Sequence, residues 1–236
     1  MTGMHGQSDL FAYPAVGQRG SQEVSFMRKE YLTISHEAVA ELEERKSRFI
    51  ATVRPVTSEE DANSFISELK TKYWNASHNV YAYYICANNM LQKFSDDGEP
   101  SGTAGLPVLE AIKKSDLQDI AVVVTRYFGG TKLGAAGLVR AYGKSATMGI
   151  QAAGVVKKQL CILSQVTMEY TLLGKVQAMV ASNGYRVKDT IYAQDVDLLA
   201  YIPVDELEEF TSLINEATNG QALIDTGEKV YITIEM

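Results

Sequence analysis

The sequence predicts an α+β protein of two domains. Three observations carry this. The last third of the chain runs in the order βαββαβ, the split pattern of a ferredoxin-like sandwich. The run IAVVVT at 120–125 reads as a strand buried on both faces. Charge divides the chain: residues 1–26 carry a net −1, residues 27–157 carry +1 and residues 158–236 carry −7, within a total of −7. A length of 236 residues suits one large or two small domains, and 46% hydrophobic with 22% charged residues suits a soluble globular chain.

Residues 1–26 lack periodicity and are rich in Gly, Ser and Gln, so they read as a mobile extension, an expression remnant or an upstream start before Met27. The first domain is expected over 27–157. SRFIATVRPV (47–56) alternates partly, as a strand does. Ser58 then caps a helix whose first turn holds Glu59, Glu60 and Asp61, where the helix dipole favours negative charge. Ala62, Phe65, Ile66, Leu69 and Tyr73 recur at three and four and form its apolar face. HNVYAYYICA (78–87) is a β-branched and aromatic strand, Asn88-Asn89 a turn, and 90–94 a return strand. SDDGEPSGTAG (95–105) is a loop by composition, followed by a short helix over 106–114 with Pro107 in its first turn. After the 120–125 strand come the glycine-rich RYFGGTKLGAAG (126–137) and a helix over 134–153.

The second domain is expected over 158–236. Its strands fall at 159–170, 185–192, 195–202, 222–225 and 229–235, and its helices at 171–182 and 205–218. Asn183-Gly184 and Asn219-Gly220 close the two helices. No run approaches the roughly 18 apolar residues of a membrane span, and the N-terminus has no signal-peptide pattern. Cys86 and Cys161 each sit in an apolar run and outside any CxxC, which suits free thiols in a reducing cytoplasm and argues against zinc or redox chemistry.

Charge and motifs narrow the function. Residues 120–168 contain no acidic residue and six basic ones, Arg126, Lys132, Arg140, Lys144, Lys157 and Lys158, so an anionic partner meets the middle of the chain. Glycines after a strand point successive N–H groups into one concavity, and a following helix N-terminus adds positive potential. Gly129 and Gly130 therefore serve either an anion nest or a turn. Gly134, Ala136 and Gly137 serve close helix packing in the second reading. Lys132, Arg140 and Lys144, spaced by eight and four, line one side of the helix with phosphate contacts, and Arg126 joins them. A Walker loop is excluded: five residues, not four, separate Gly137 from Gly143-Lys144-Ser145.

Asp96, Asp97 and Glu99 form an acidic turn. Three carboxylates in four residues have the chemistry of a hard-metal site, but the alternating ligands of a calcium loop are missing, and no metal or other cofactor is expected. Ser101 and Thr103 are positioned to cap the next helix. His78, Asn79 and Tyr81 share a cleft with this turn. A rival reading makes His78, Asp96, Asp97 and Ser101 a hydrolase pocket, although no GxSxG elbow is present. Tyr81 and Tyr83 share a strand face that either stacks bases or packs, and Tyr127 is a further strand-borne aromatic.

KSRFIA (46–51), HNVYAY (78–83), FSDDGEPSGTAGLPVL (94–109) and VVVTRYFGGTKLGAAGLVRAYG (122–143) together resemble the YigZ/YvyE branch of the IMPACT (UPF0029) family. The resemblance covers about 28–157, and the acidic tail resembles the second domain of bacterial members. It implies a first domain of the ribosomal-protein second-domain-like α/β kind, similar to domain IV of elongation factor G, and a ferredoxin-like second domain similar to domain V of that factor. It also implies contact with RNA or the ribosome. Eukaryotic relatives act in translation control by competing for an activator of a kinase of an initiation factor, through an extra N-terminal domain that has no counterpart in these motifs. Ala136 stands where the family has glycine. No catalytic residues carry over. The expectation is a cytoplasmic, non-catalytic binding protein linked to translation, with RNA or a ribosome-associated partner; the alternatives are the hydrolase, or a protein-binding regulator using the acidic second domain.

Overall fold

The computed structural model describes residues 27–86 and 90–235. Ten strands and five helices are found among them, built on two five-stranded sheets. The expectations for residues 1–26 and for the Asn88-Asn89 turn lie outside the described residues.

The first sheet has the order β2-β3-β6-β4-β5 and is antiparallel throughout. Its strands are β2 (Ala38–Glu44), β3 (Ser47–Pro55), β4 (His78–Ile85), β5 (Leu91–Ser95) and β6 (Ile120–Tyr127). The centre belongs to β6, buried on both faces as its composition predicts. One face carries Phe49, Val80, Val122 and Val124 under α2 (Gly105–Lys114) and α3 (Ala135–Ala153). The opposite face carries Tyr83, Ala121 and Val123 under α1 (Glu59–Lys72), which contributes Phe65, Ile66 and Leu69. The Ser58 side chain accepts from the Asp61 N–H at 3.1 Å, so α1 starts where its cap residue dictates.

The second sheet has the order β10-β7-β9-β8: β7 (Val155–Met168), β8 (Arg186–Tyr192), β9 (Val196–Pro203) and β10 (Leu223–Glu235). With α4 (Tyr170–Ser182) and α5 (Leu207–Thr218) on one face, this is the βαββαβ order that the sequence predicts. Asn183 and Asn219 cap the helices, each followed by a glycine at positive φ. The two strands expected at 222–225 and 229–235 are one strand with an irregularity between Thr226 and Lys229.

The boundary between the domains is less clean than a cut at 157/158. Strand β1 (Glu30–Ile34) falls within the expected first domain but pairs with Val155–Gln159 of β7. On its other side the Gln118 N–H donates to the Leu32 carbonyl at 2.9 Å, and Thr33 Oγ1 donates to the Asp119 carbonyl at 3.3 Å. This one short strand therefore belongs to the second sheet and is bonded to the first domain.

The glycine loop has a steric origin. A Cβ built on Gly129 lies 1.9 Å from the Lys46 carbonyl oxygen, so only glycine passes the β2–β3 turn. Gly134 begins α3 at φ 73 with open space around it, so it serves backbone direction and not helix packing. The glycine that lets α3 close on the sheet is Gly149, where an added Cβ would lie 2.9 Å from Val53 Cγ1. Gly129→Ala is expected to lower stability by about 3 kcal/mol, read as a shift of the urea midpoint, because a rigid backbone and not a mobile side chain blocks the methyl.

Candidate functional site

The row His78–Arg126–Phe49 crosses the end of the first sheet on its α3 side. Arg126 is only 5% exposed. Its Nη1 donates to Glu99 Oε1 at 2.5 Å and its Nη2 to Ser47 Oγ at 3.3 Å. The Tyr142 hydroxyl, from α3, donates to the same Glu99 oxygen at 2.7 Å. Burial, and then the Glu99 carboxylate, push the Tyr142 phenol far above its ordinary pKa, so it stays a donor. The guanidinium lies 5.4 Å from the Phe49 ring centroid and 5.6 Å from that of Phe128.

This corrects the placement of Arg126. It is not on the surface with the other cations; its charge is spent on Glu99 inside the domain. Glu99 in turn is not part of a solvated acidic turn but buried.

Asp96 has a different task. Its carboxylate accepts the N–H groups of Gly102, Ala104 and Gly105 at 2.8, 3.0 and 2.8 Å. It thereby caps α2, the role expected of Ser101 and Thr103. Thr103 Oγ1 instead donates to the Pro100 carbonyl at 2.6 Å. Burial works against the Asp96 charge, but the three N–H bonds outweigh it and hold the carboxyl below the usual aspartate range. Asp97 accepts the Asn79 N–H at 2.7 Å and pairs with Lys70 at 2.8 Å. The Asn79 side chain accepts from Thr125 Oγ1 at 2.8 Å.

His78 Nδ1 meets the Asp97 carbonyl at 2.8 Å and so donates there; Nε2 faces Glu99 at 3.8 Å. Among the described residues no hydrogen bond joins Ser101 to His78 or to these carboxylates, and both aspartates are engaged elsewhere. The loop and His78 do come together, but a nucleophile beside a base does not. No group of three or more His, Cys, Asp or Glu suited to a metal ion occurs among the described residues.

The face shared by Tyr81 and Tyr83 is no platform for bases. Helix α1 covers it, Tyr83 is fully buried with its hydroxyl on Glu59 at 2.7 Å, and Tyr81 is half-buried at 6.4 Å from it. The Tyr127 hydroxyl donates to Asn75 at 3.0 Å. Both cysteines are free; burial pushes the Cys161 thiol up to about 11, and Cys86 is half-buried.

The exposed charged residues of the predicted set are basic. Arg140 and Lys144, one turn apart on α3, line a hollow of about 180 Å³ with Arg45, Leu42, Leu133 and Glu44. Lys132 is exposed on the loop before α3 rather than on the helix itself. Arg45, which sequence spacing did not single out, comes from the two-residue β2–β3 turn. Arg45 and Lys46 both have positive φ, 48 and 66, where Asn-Gly is the easier choice. That turn is the one Gly129 presses against, so the glycine loop brings the two cation sources together.

A family model described as the Impact N-terminal domain matches residues 45–150, and one described as a domain of unknown function (DUF1949) matches 166–221. IMPACT family member YvyE of Bacillus subtilis is 42% identical over 87% of this chain and 95% of its own length. IMPACT family member YigZ of Escherichia coli is 31% identical over 75% and 87%. Protein IMPACT of Xenopus laevis is 36% identical over 39% of this chain and 31% of its own length. A crystal structure described as a hypothetical protein superposes with a TM-score of 0.56 at 27% identity, covering 86% of this chain and 99% of that one.

Two outcomes are expected here. Glu99→Ala leaves the Arg126 charge buried without its carboxylate and is expected to destabilise by about 3–5 kcal/mol in denaturant titration. Asp96 has a lowered folded pKa, so its contribution is complete above the unfolded value and fades as the pH falls from about 4 downward. Asp96→Asn is expected to be less stable at pH 7 and to show a shallower loss of stability across that acid range.

Proposed function

Because this chain belongs to the IMPACT family, we propose that it is a non-catalytic binding protein linked to translation, whose first domain holds RNA or a ribosome-associated partner through the surface of the glycine loop and α3. One observation carries the reading: Arg45, Arg140 and Lys144 converge on one hollow, with Lys132 exposed on the adjoining loop. The 49 residues from Ile120 to Met168 that supply three of these four cations hold no acidic residue. Glu44 at the rim is the one carboxylate lining that hollow among the described residues. Two left-handed basic residues in a tight turn support the same reading, since backbone strain of this kind is retained where a side chain is needed. The charge of −7 over 158–236 argues against the second domain as the polyanion contact.

Polyelectrolyte binding makes a quantitative demand. Each phosphate contact to a single strand contributes about 0.7 to the slope of log affinity against log salt. Replacing Arg45, Lys132, Arg140 and Lys144 by alanine is expected to weaken RNA binding and flatten that slope by about 3, measured by fluorescence anisotropy between low and moderate salt. All four are exposed, so the fold is expected to survive. Unchanged affinity and slope would sink the proposal.

A further inference from the structure

Two exposed aromatic side chains lie at the end of the first sheet where β6 finishes and β4 begins, and neither packs in the core. Trp74, the single tryptophan of the chain, is 82% exposed in the turn between α1 and β4. Phe128 is 50% exposed at the end of β6, immediately before Gly129-Gly130. Large aromatic side chains contribute most when buried, so two rings left in water at one end of a domain add little to folding and are accessible to a ligand.

The two loops are held together. The Ser77 N–H donates to the Arg126 carbonyl at 2.9 Å, the Phe128 N–H to Ser77 Oγ at 3.0 Å, and the Tyr127 hydroxyl to Asn75 at 3.0 Å. These bonds tie the turn bearing Trp74 to the strand end bearing Phe128. The Phe128 ring is also backed by Arg126, whose guanidinium is fixed by Glu99. It is a supported ring, not a loose one. Lys72 Nζ lies 5.2 Å from the ring of Tyr73, the residue before Trp74, and the Lys46 backbone passes against Gly129, the residue after Phe128. Arg48 is nearby in sequence to that turn but is occupied by Glu41.

We propose that this end of the first domain binds single-stranded RNA, with unpaired bases stacking on Phe128 and Trp74 while the phosphates run over Lys132, Arg45, Arg140 and Lys144. The inference rests on the RNA reading above and sharpens it to unpaired strands. Aromatic faces alternating with cations are the chemistry of single-strand recognition; a duplex keeps its base faces inside the stack and offers such rings nothing.

The test uses the full chain and a mixed-sequence RNA of about 12 nucleotides, offered single-stranded and as the duplex with its complement. Single-stranded RNA is expected to quench the Trp74 fluorescence and to bind more tightly than the duplex. Trp74→Ala and Phe128→Ala are each expected to weaken single-strand binding roughly tenfold while leaving the salt slope and duplex binding unchanged. If the four-cation variant loses binding but both aromatic variants keep it, stacking is wrong and the electrostatic reading stands, with the two rings left as a surface for protein. If wild-type protein binds neither form, both fall. Equal affinity for both forms, indifferent to the rings, overturns the stacking inference alone.

Discussion

One buried carboxylate organises the first domain. Glu99 sits on a loop with no secondary structure of its own, yet it holds the guanidinium of the central strand β6 and the hydroxyl of α3 on a single oxygen. A buried arginine without a counter-charge is strongly unfavourable, and so is a buried carboxylate. Each therefore requires the other, and the loop, the strand and the helix have one arrangement that satisfies all three. Asp96, three residues earlier, fixes the same loop against the start of α2 through three N–H groups. The acidic turn is thus an internal fastening.

With the acidic turn committed inside the domain, the glycine-rich segment presents its remaining cation, Lys132, outward. Gly129 is where two backbones touch, and the N–H of its neighbour Phe128 is held by Ser77 Oγ. The residues most suggestive of chemistry, His78, Asp96, Asp97, Glu99 and Arg126, mainly hold the sheet end together. The residues available to a partner are the ones around them: Arg45, Lys132, Arg140 and Lys144. Rigid support beneath an exposed surface is a sound basis for binding, because the surface side chains lose little further freedom when a ligand arrives.

The two domains share a strand. β1 adds to the first half of β7 and is bonded on its other side to the segment before β6. Tyr231, late in β10, donates to the Arg28 carbonyl at 2.8 Å and packs edge-on against Tyr31 at 5.1 Å. Chain order alone places residues 30–34 with the first domain. Hydrogen bonding places them in the second sheet.

Local pattern was enough for much of this protein. The cap at Ser58, the period of Ala62, Phe65, Ile66 and Leu69, the double-sided burial of β6 and the βαββαβ order of the tail all follow from signals a few residues long, where propensity and packing agree. The family motifs were legible too. Strand β2 was not, because AVAELEE favours helix by composition and becomes a strand only by pairing with β3. Nor was the fate of Arg126: a sequence shows that a cation follows a strand, but whether it faces water or Glu99 depends on a loop 27 residues away. Arg45 joins Arg140 and Lys144 for the same reason, across nearly a hundred residues of chain. Most of the helices and strands, the order of the two domains and the charge balance along the chain could be read from sequence, because these are local or additive properties. Which charges are neutralised inside and which are left to bind was decided by tertiary structure, because that depends on which distant groups meet and exclude water between them.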